Sequence, residues 1–358
     1  MKTLSSLLMT VATSLFGIVI ALGLVEVGVR LFVPKGPQRI AWNDRPSFYF
    51  RAPNAPTMQD YPHNPTKSAG TFRIAVIGDS FTFAPYMQFT DTFSEKLEQM
   101  LRVSGSKRPV EVINYGVPAY STYHEIDVAK RAISEKADLI ILQITLNDPE
   151  LKRHRPTGIQ ERMKDRFGPL RLRGKVKWLA EHWRTLGFVL TRLHNTQTHK
   201  AYSNYFNGLF NNPETWEPFK ASMTELVQFA KDSHTPIISV TFPLFGLPLD
   251  SNYPFDGIHA KVQDLMQSLA VPSTDISGIY KGIPLERLQV IPGVDRHPNE
   301  IAHRMAAEEI YLFLESNKLL PEEFLITEKF ATRLGTRDQR PYKAPKLETT
   351  PAPEPEQD

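Results

Sequence analysis

The sequence predicts an α/β protein in which helices cover both faces of a parallel sheet, with an apolar N-terminal helix and a helical insertion in addition. From residue 71 onward, short apolar runs alternate with segments of helical spacing, and this order favours parallel strands joined by helices. The run 138–144 (DLIILQI) is almost continuously apolar, which is typical of a strand buried on both faces. Residues 4–25 contain no charged side chain, unlike the alternating region.

The N-terminal apolar run is predicted to be an uncleaved membrane anchor. As a helix, residues 4–25 span about 33 Å, close to the bilayer's hydrocarbon thickness of about 30 Å. A cleavable signal peptide is one alternative, but its apolar region usually has about 7–15 residues before a small-x-small site. Ala21-Leu22-Gly23 matches such a site poorly. A buried core helix is the other alternative, and the residues that follow do not resemble a body that would bury it.

The charges that flank the apolar run carry little information about its orientation. Lys2 precedes the run, whereas Arg30, Lys35 and Arg39 follow it. Counted alone, the positive-inside rule therefore favours a cytoplasmic body. The count is small and Glu26 lies among the following charges, so the rule has little weight here.

The alternating region divides into five predicted strands and five predicted helices, with no internal repeat. In the first of these helices Phe93, Leu97 and Leu101 recur at helical spacing. The predicted strands are 73–77, 110–113, 138–144, 236–242 and 271–275. The predicted helices are 91–103, 124–134, 216–233, 260–269 and 299–316.

These elements predict one large domain with extensions at both ends. Residues 1–33 form the anchor, and 34–70, rich in Pro, Asn and aromatic residues, form a linker that packs against the body. The domain covers 71–320. Residues 321–358 form a tail that is expected to be disordered from about 341, because five prolines and almost no apolar side chains leave it too little surface to bury.

An insertion of about residues 150–212 interrupts the alternation, and its first half is strongly basic. Between Leu151 and Thr185, eleven Lys or Arg stand against three acidic residues, a net charge of +8. The basic positions are 152, 153, 155, 162, 164, 166, 171, 173, 175, 177 and 184, and the acidic ones are 161, 165 and 181. A helical insertion with a solvated basic surface explains this pattern. A cap over a site, or a face that meets anionic lipid or polysaccharide, explains it as well.

Composition excludes several classes of function. The chain of 358 residues has no cysteine, which excludes disulfides, cysteine nucleophiles, thiolate zinc sites and iron–sulfur clusters. The net charge of +3 gives no reason to expect a nucleic-acid partner. No glycine-rich phosphate loop is present.

Four polar stretches follow predicted strands or precede the last helix, and all are expected at the same edge of the sheet. They are Gly78-Asp79-Ser80, Asn114-Tyr115-Gly116, Leu146-Asn147-Asp148 and 294–299 (VDRHPN). Together they supply a nucleophile, a base, an orienting carboxylate and three oxyanion donors. Acyl transfer requires these groups.

The set Gly78-Asp79-Ser80, Gly116, Asn147-Asp148 and Asp295-x-His297-Pro298 resembles the conserved blocks of the SGNH, or GDSL, hydrolases. The resemblance covers about residues 71–150 and 235–315, with the blocks in order. It implies a flavodoxin-like three-layer α/β/α domain, ester hydrolysis or acyl transfer, and neither a cofactor nor a metal. The anchor also resembles that of membrane-tethered bacterial members, which places the catalytic domain in the periplasm or outside the cell.

The resemblance also implies a role for each matching residue. Ser80 is the nucleophile, His297 the general base, and Asp295 the carboxylate that orients and stabilises the imidazole. The oxyanion hole consists of the Ser80 N–H, the Gly116 N–H and the Asn147 side chain. Asp79 and Asp148 are expected to hydrogen-bond their own loops.

The chain departs from the family pattern in two places. Thr145 stands where the family's third block usually has glycine, two residues before its asparagine. Asp295 precedes His297 by two residues, whereas three is the common spacing. Threonine in place of glycine bears on how the third block approaches the oxyanion. The shorter spacing bears on whether Asp295 can reach the imidazole.

A second Asp–His pair, Asp256 and His259, has the three-residue spacing that the family often shows. It comes one β/α unit too early and starts a predicted helix, with Asp256 as its cap, so His297 is expected to be the base. His154, His182, His194 and His199 are expected at the surface or in packing roles. His303 is expected to pack from the last helix.

These residues predict a serine esterase or deacylase that acts on an ester of an acylated glycan, a lipid or a similar envelope substrate. An O-acyltransferase that modifies an exported polysaccharide is one alternative, since only the acyl acceptor differs. A non-catalytic envelope binding protein that retains the fold is another.

Overall fold

Five parallel strands form the central sheet of the protein, in the order β2-β1-β3-β4-β5. The computed structural model describes residues 2–33, 59–60, 63–104, 106–150, 170, 172–292 and 295–325. The strands are β1 (Phe72–Ile77), β2 (Val110–Asn114), β3 (Leu139–Ile144), β4 (Ile237–Thr241) and β5 (Ser273–Asp275). This order is the flavodoxin-like one. The predicted parallel α/β fold is confirmed.

Helices cover both faces of this sheet. They are α2 (Ser80–Phe83), α3 (Phe93–Val103), α4 (Thr122–Ser134), α7 (Pro213–Asp232), α8 (Asp256–Ser268) and α9 (Glu300–Ser316). Right-handed crossovers put α3 on one face and α4, α7 and α8 on the other. In agreement with this, α3 packs against α9, and α4 packs against α7. The sheet and the two helical layers make the predicted three layers.

The central strands are buried on both faces, as the apolar run of the third strand predicts. All six residues of β3 are buried, Gln143 among them. On α3 the predicted stripe Phe93, Leu97 and Leu101 is fully buried against the sheet. The core therefore lies along β1 and β3, and the carboxyl ends of these strands provide a rigid edge for polar groups.

Several helices begin at capping residues rather than where the apolar spacing starts. The Thr92 hydroxyl accepts the Glu95 N–H, so α3 begins at residue 93 and not 91. Asn212 likewise caps α7, which begins three residues before the predicted 216. The predicted cap of α8 is wrong, because Phe255 occupies the N-cap position and Asp256 lies within the first turn.

A two-stranded antiparallel hairpin precedes α9 and was not predicted. It consists of β6 (Gln289–Ile291) and β7 (Asp295–Pro298). The short strands carry too few residues for a periodic pattern. This hairpin matters for the site, because β7 contains the predicted orienting carboxylate and base.

The predicted extensions are described in part. The helix α1 (Lys2–Phe32) contains the only stretch among the described residues, Met9–Phe32, that is long and apolar enough to cross a membrane, and a signal sequence meets the same criterion. The end of the predicted linker packs on the body, where Asn64 and Pro65 accept hydrogen bonds from Arg73. Residues 34–58, 151–169 and 326–358, including the predicted disordered tail, lie outside the described residues.

Candidate active site

Ser80 begins α2 directly after β1, at the carboxyl edge of the sheet. The Asp79 side chain caps this helix by accepting the Phe81 N–H at 2.9 Å. Gly78 is required here, because a Cβ at this position would lie 2.4 Å from Gln143 Oε1. Among the residues that the structure describes, the Ser80 N–H has no acceptor. The serine therefore presents its hydroxyl and its backbone N–H together.

The predicted nucleophile, base and carboxylate are connected by two consecutive hydrogen bonds. Ser80 Oγ is 2.9 Å from His297 Nε2, and His297 Nδ1 is 2.6 Å from Asp295 Oδ1. The side chain of His297 is 28% exposed and that of Asp295 16%, so the base is reachable from solvent. The Phe81 ring lies 5.6 Å from the imidazole, measured between ring centroids. This arrangement can move a proton from the serine to the histidine.

The spacing of two residues between Asp295 and His297 follows from the extended backbone of β7. Side chains at i and i+2 of a strand lie on the same face. Asp295 Oδ1 also accepts the His297 backbone N–H at 3.0 Å, which fixes the carboxylate beside its own strand. The shorter spacing therefore still brings the carboxylate to the imidazole.

Beneath Ser80, the buried carboxylate of Asp79 connects β1 to the end of β3. Besides the Phe81 N–H, it accepts the Thr145 hydroxyl at 3.1 Å and the Asn147 amide nitrogen at 3.0 Å. Asp79 is fully buried. It thus acts beyond its own loop, where sequence reasoning had confined it, and it sets the orientation of the Asn147 amide.

Thr145, which stands where the SGNH pattern usually has glycine, belongs to this buried hydrogen-bond network. Its hydroxyl accepts a hydrogen bond from Gln143 Nε2 at 2.6 Å and donates to Asp79. Gln143 Oε1 in turn accepts the Thr82 hydroxyl at 2.8 Å. Sequence reasoning missed Gln143, although a glutamine inside a continuously apolar strand was a signal for it.

Two of the predicted oxyanion-hole donors, the Asn147 side chain and the Gly116 N–H, differ in whether a hydrogen is left to donate to a substrate oxygen. Asn147 Nδ2 uses one of its two hydrogens for Asp79 and retains the other. The Gly116 N–H already donates to Asn114 Oδ1 at 2.9 Å. A Cβ on Gly116 would lie 2.3 Å from the Phe83 nitrogen, so close packing against α2 explains the glycine. In the same loop, Ala119 has a φ of +67°, and its N–H has no acceptor among the described residues.

The second Asp–His pair is separate from this site. His259 lies on α8 and is 1% exposed. Its Nδ1 atom lies 2.9 Å from Asp275 Oδ1 at the end of β5, so its carboxylate partner is not Asp256. Burial works against the charged form of Asp275, but the nearby His259 imidazole is among the groups that hold its pKa below the ordinary value.

The remaining described histidines have packing or surface positions. His303 is buried on α9, where its Nδ1 accepts the Phe93 N–H at 3.1 Å. Burial, assisted by the charge of His297, lowers the pKa of His303 to about 3. His182 stacks on Trp178, and His154 lies outside the described residues. Among the described residues no group of His, Asp and Glu is arranged to hold a metal ion.

Arg296, between the two candidate catalytic residues on β7, connects this strand to the insertion. Its guanidinium carbon lies 5.0 Å from the centroid of the Tyr202 ring. Tyr202 belongs to α6 (Arg184–Asn211), the long helix of the insertion, and is buried. Sequence reasoning did not single out Arg296. The insertion therefore contacts the strand that carries the predicted base.

The chain is similar to solved structures of a lipolytic protein and of two esterases. A protein described as lipolytic and of the G-D-S-L family, from Desulfitobacterium hafniense DCB-2, is 14% identical, with 68% of this chain and 99% of that chain covered and a TM-score of 0.39. An acetylxylan esterase from Geobacillus stearothermophilus is 13% identical over 68% of this chain and 94% of that one, with a TM-score of 0.41. A two-domain esterase active on acetylated mannans is 13% identical over 71% of this chain and 53% of that one, with a TM-score of 0.43.

No protein-family model matches the sequence, and no curated protein is a significant match. At these identities and TM-scores the structural likeness by itself assigns no function.

Proposed function

We propose that the chain is a membrane-anchored serine esterase or deacylase of the SGNH type, with its catalytic domain in the periplasm or outside the cell. Its substrate is an ester of an acylated glycan, a lipid or a similar envelope molecule. The observation that supports this most is the continuous set of hydrogen bonds from Ser80 Oγ through His297 to Asp295. The apolar helix α1 supports the anchor.

In the proposed mechanism, Ser80 Oγ attacks the ester carbonyl while His297 Nε2 takes its proton. Asp295 stabilises the imidazolium through Nδ1. The negative charge on the tetrahedral oxygen is held by the Ser80 N–H and the second hydrogen of Asn147 Nδ2. His297 then returns the proton to the leaving alcohol, and an acyl-serine remains. Water, deprotonated by His297, attacks this ester and releases the acid.

The Gly116 N–H is less available as an oxyanion donor than the Ser80 N–H and the Asn147 side chain. Its N–H would have to leave Asn114 Oδ1 before it could reach a substrate oxygen. Ser80 and Asn147 need no such rearrangement. The proposal therefore rests on these two donors, with Gly116 joining them only if the loop shifts on binding.

Single substitutions in the full-length protein test the mechanism, with an aryl acetate as substrate. Ser80→Ala and His297→Ala should each reduce kcat by about three orders of magnitude or more, because the two residues act as a unit. His259→Ala is the matched control, since it removes a histidine with an acidic neighbour that lies outside the site. It should retain most activity once folding is verified by circular dichroism. Full activity of Ser80→Ala would contradict the mechanism.

Two further assays separate the alternatives. Labelling of the wild type, but not of Ser80→Ala, by a fluorophosphonate is expected for an activated serine, and its absence would favour a non-catalytic binding protein. Incubation with an acyl donor and a glycan then compares free acid with acylated glycan. An excess of acylated glycan would make the protein an O-acyltransferase.

A further inference from the structure

The first part of the insertion forms an arm that packs little against the α/β body. This arm comprises α5 (Gly174–His182) with the preceding Arg173, and α6 as far as Gln197. None of its residues is buried, and the first buried residue of α6 is Thr198. Several of its apolar side chains are exposed: Val176, Trp178, Leu179, Trp183, Val189 and Leu193. The nine residues of α5 pack on α6, and this contact leaves the exposed apolar side chains uncovered.

A carboxylate at the end of α1 holds the arm beside the anchor. Glu26 accepts the backbone N–H groups of Arg184 at 2.9 Å and Thr185 at 2.7 Å, which begin α6. It also accepts Arg30 Nε at 2.7 Å. A carboxylate is favourable at a helix N-terminus, where unpaired N–H groups and the helix dipole attract negative charge.

Two arginines complete this junction by satisfying helix C-termini. Arg184 donates to the carbonyl oxygens of Arg30 at 3.2 Å and Val33 at 2.5 Å, at the end of α1. Arg30 donates to the carbonyl oxygen of His182 at 2.9 Å, at the end of α5. The end of α5 is therefore fixed next to the C-terminal end of α1, the point where the apolar stretch Met9–Phe32 ends. In a membrane-spanning chain that point is the lipid–water interface.

The side chains of α5 have the composition of an interfacial helix. Val176 and Leu179 lie at i and i+3 and share one face of α5, and Trp183 follows the last residue of the helix in extended backbone. Lys175 and Lys177 lie on the same short helix, and Trp side chains favour the membrane interface. Between residues 172 and 185, four basic side chains stand against the single acid Glu181. Apolar, aromatic and basic residues in this combination suit the headgroup region of an anionic bilayer.

We propose that α5 lies in the headgroup region of an anionic bilayer, with Val176 and Leu179 at the acyl boundary, the adjoining Trp183 at the interface, and Lys175 and Lys177 at the lipid phosphates. This inference rests on the proposed membrane anchoring by α1. The junction at Glu26 supplies the reason for a lipid surface, because it holds α5 where α1 leaves the bilayer. Through α6 and the contact of Tyr202 with Arg296, the same arm then connects the membrane surface to the strand that carries the catalytic histidine.

Spin labels on single cysteines can measure the depth of each segment in full-length protein reconstituted into vesicles. The chain has no native cysteine, so each label reports one position. Leu179→Cys reports α5, and Val19→Cys reports the anchor. Tyr123→Cys, 60% exposed on α4, is the aqueous control. Collision with oxygen, which concentrates in lipid, is compared with collision with a water-soluble nickel chelate, in vesicles of phosphatidylcholine with or without phosphatidylglycerol.

When phosphatidylglycerol is present, the label at residue 179 should collide more with oxygen and less with the nickel chelate. The label at residue 123 should remain accessible to the chelate in both kinds of vesicle. If the chelate reached the label at residue 179 in both kinds of vesicle but did not reach the label at residue 19, the interfacial position of α5 would be overturned and the anchor would stand. Accessibility of 19 to the chelate would instead overturn the anchor. Immobilisation of the 179 label by added alginate, an anionic polysaccharide, but not by either lipid, would identify a polysaccharide surface and refute the lipid one.

Charge variants test the electrostatic part of the proposal. Adding Lys175→Gln and Lys177→Gln to the Leu179→Cys protein should abolish the difference between the two kinds of vesicle, since both charges that face the phosphates are removed. Lys220→Gln, which removes an exposed charge on α7, should leave that difference unchanged. An unchanged response in the double variant would overturn the assignment of anionic lipid as the partner.

Discussion

At the scale of single residues, the candidate site depends on a buried carboxylate that does not belong to the triad. Asp79 caps the helix that begins with Ser80, the proposed nucleophile, and also holds the amide of Asn147. Thr145 also donates a hydrogen bond to this carboxylate, and Gln143 orients the threonine hydroxyl. The orientation of an oxyanion donor is thus set by side chains that need not touch the substrate.

Thr145→Val should lower kcat about tenfold with little change in KM, because Asn147 acts on charge that develops in the transition state. Valine retains the shape of the buried residue but leaves Gln143 Nε2 without an acceptor, which should also lower the free energy of unfolding by about 1–3 kcal/mol. Steady-state kinetics and urea unfolding measure the two effects. Thr145→Ser restores the hydroxyl and is the rescue control. A stability loss with kcat unaltered would mean that the network has a structural role only.

At the scale of elements, the edge strand β2 is protected by acidic side chains from outside the sheet. Glu98 on α3 accepts the Val112 N–H at 2.7 Å, and Asp60 accepts the Asn114 N–H at 2.7 Å. Satisfying the outward N–H groups of an edge strand discourages pairing with another chain. Burial raises the pKa of Glu98 to about 7, although Val112 and Arg102 act in the opposite direction. The helix and the edge strand are therefore joined by a group that titrates near neutrality.

This pKa predicts that stability falls as pH rises from about 4.5 to 7. The folded state holds the Glu98 proton more tightly than the unfolded chain, so the stabilisation is complete at low pH and lost through that window. Glu98→Gln retains an acceptor for Val112 and should be more stable than the wild type at pH 8 by about 3 kcal/mol. Urea unfolding at pH 5 and pH 8 measures it.

Glu225→Gln provides the control for the Glu98 variant, because the Glu225 side chain is 62% exposed. The difference in its stability between pH 5 and pH 8 should equal that of the wild type. If Glu98→Gln and the wild type lost the same stability between the two pH values, the titration of Glu98 would not be coupled to folding.

At the scale of the whole molecule, one buried arginine ties the segment before β1 to the body. Arg73 is fully buried and donates to the carbonyl oxygens of Asn64, Pro65 and Glu135 and to the carboxylate of Glu111. Its guanidinium fork serves several acceptors at once. The hydrogen bonds of this one side chain thus set the direction in which the segment before β1 enters the sheet.

Arg73→Met should lower the free energy of unfolding by about 3–5 kcal/mol, because it leaves buried acceptors without a donor. It should also expose residues 63–70 to limited proteolysis in the native state. Arg108→Met is the matched control. Arg108 also bonds the end of this segment, at the Gly70 carbonyl, but it is 35% exposed, so its loss should cost about 1 kcal/mol or less. Equal losses in the two variants would contradict the central role of Arg73.

The sequence by itself determined the alternation of strands and helices and the placement of Ser80 and Asn147 at one edge of the sheet. Period-two and period-3.6 patterns are local, and parallel strands must present their carboxyl ends together, so both features can be predicted from short windows. Only the tertiary structure decided which partners the polar groups take. His259 pairs with Asp275 rather than Asp256, and the Gly116 N–H turns to Asn114.

The same distinction holds for the triad and the arm. Ser80 and His297 are 217 positions apart, and Glu26 and Thr185 are 159 apart, so no local window contains either pair. Their contacts depend on how whole elements pack and on which rotamers that packing leaves open. A hydrogen bond with a 2.9 Å length requires positions accurate to a fraction of an ångström, and residue type and spacing do not carry that information.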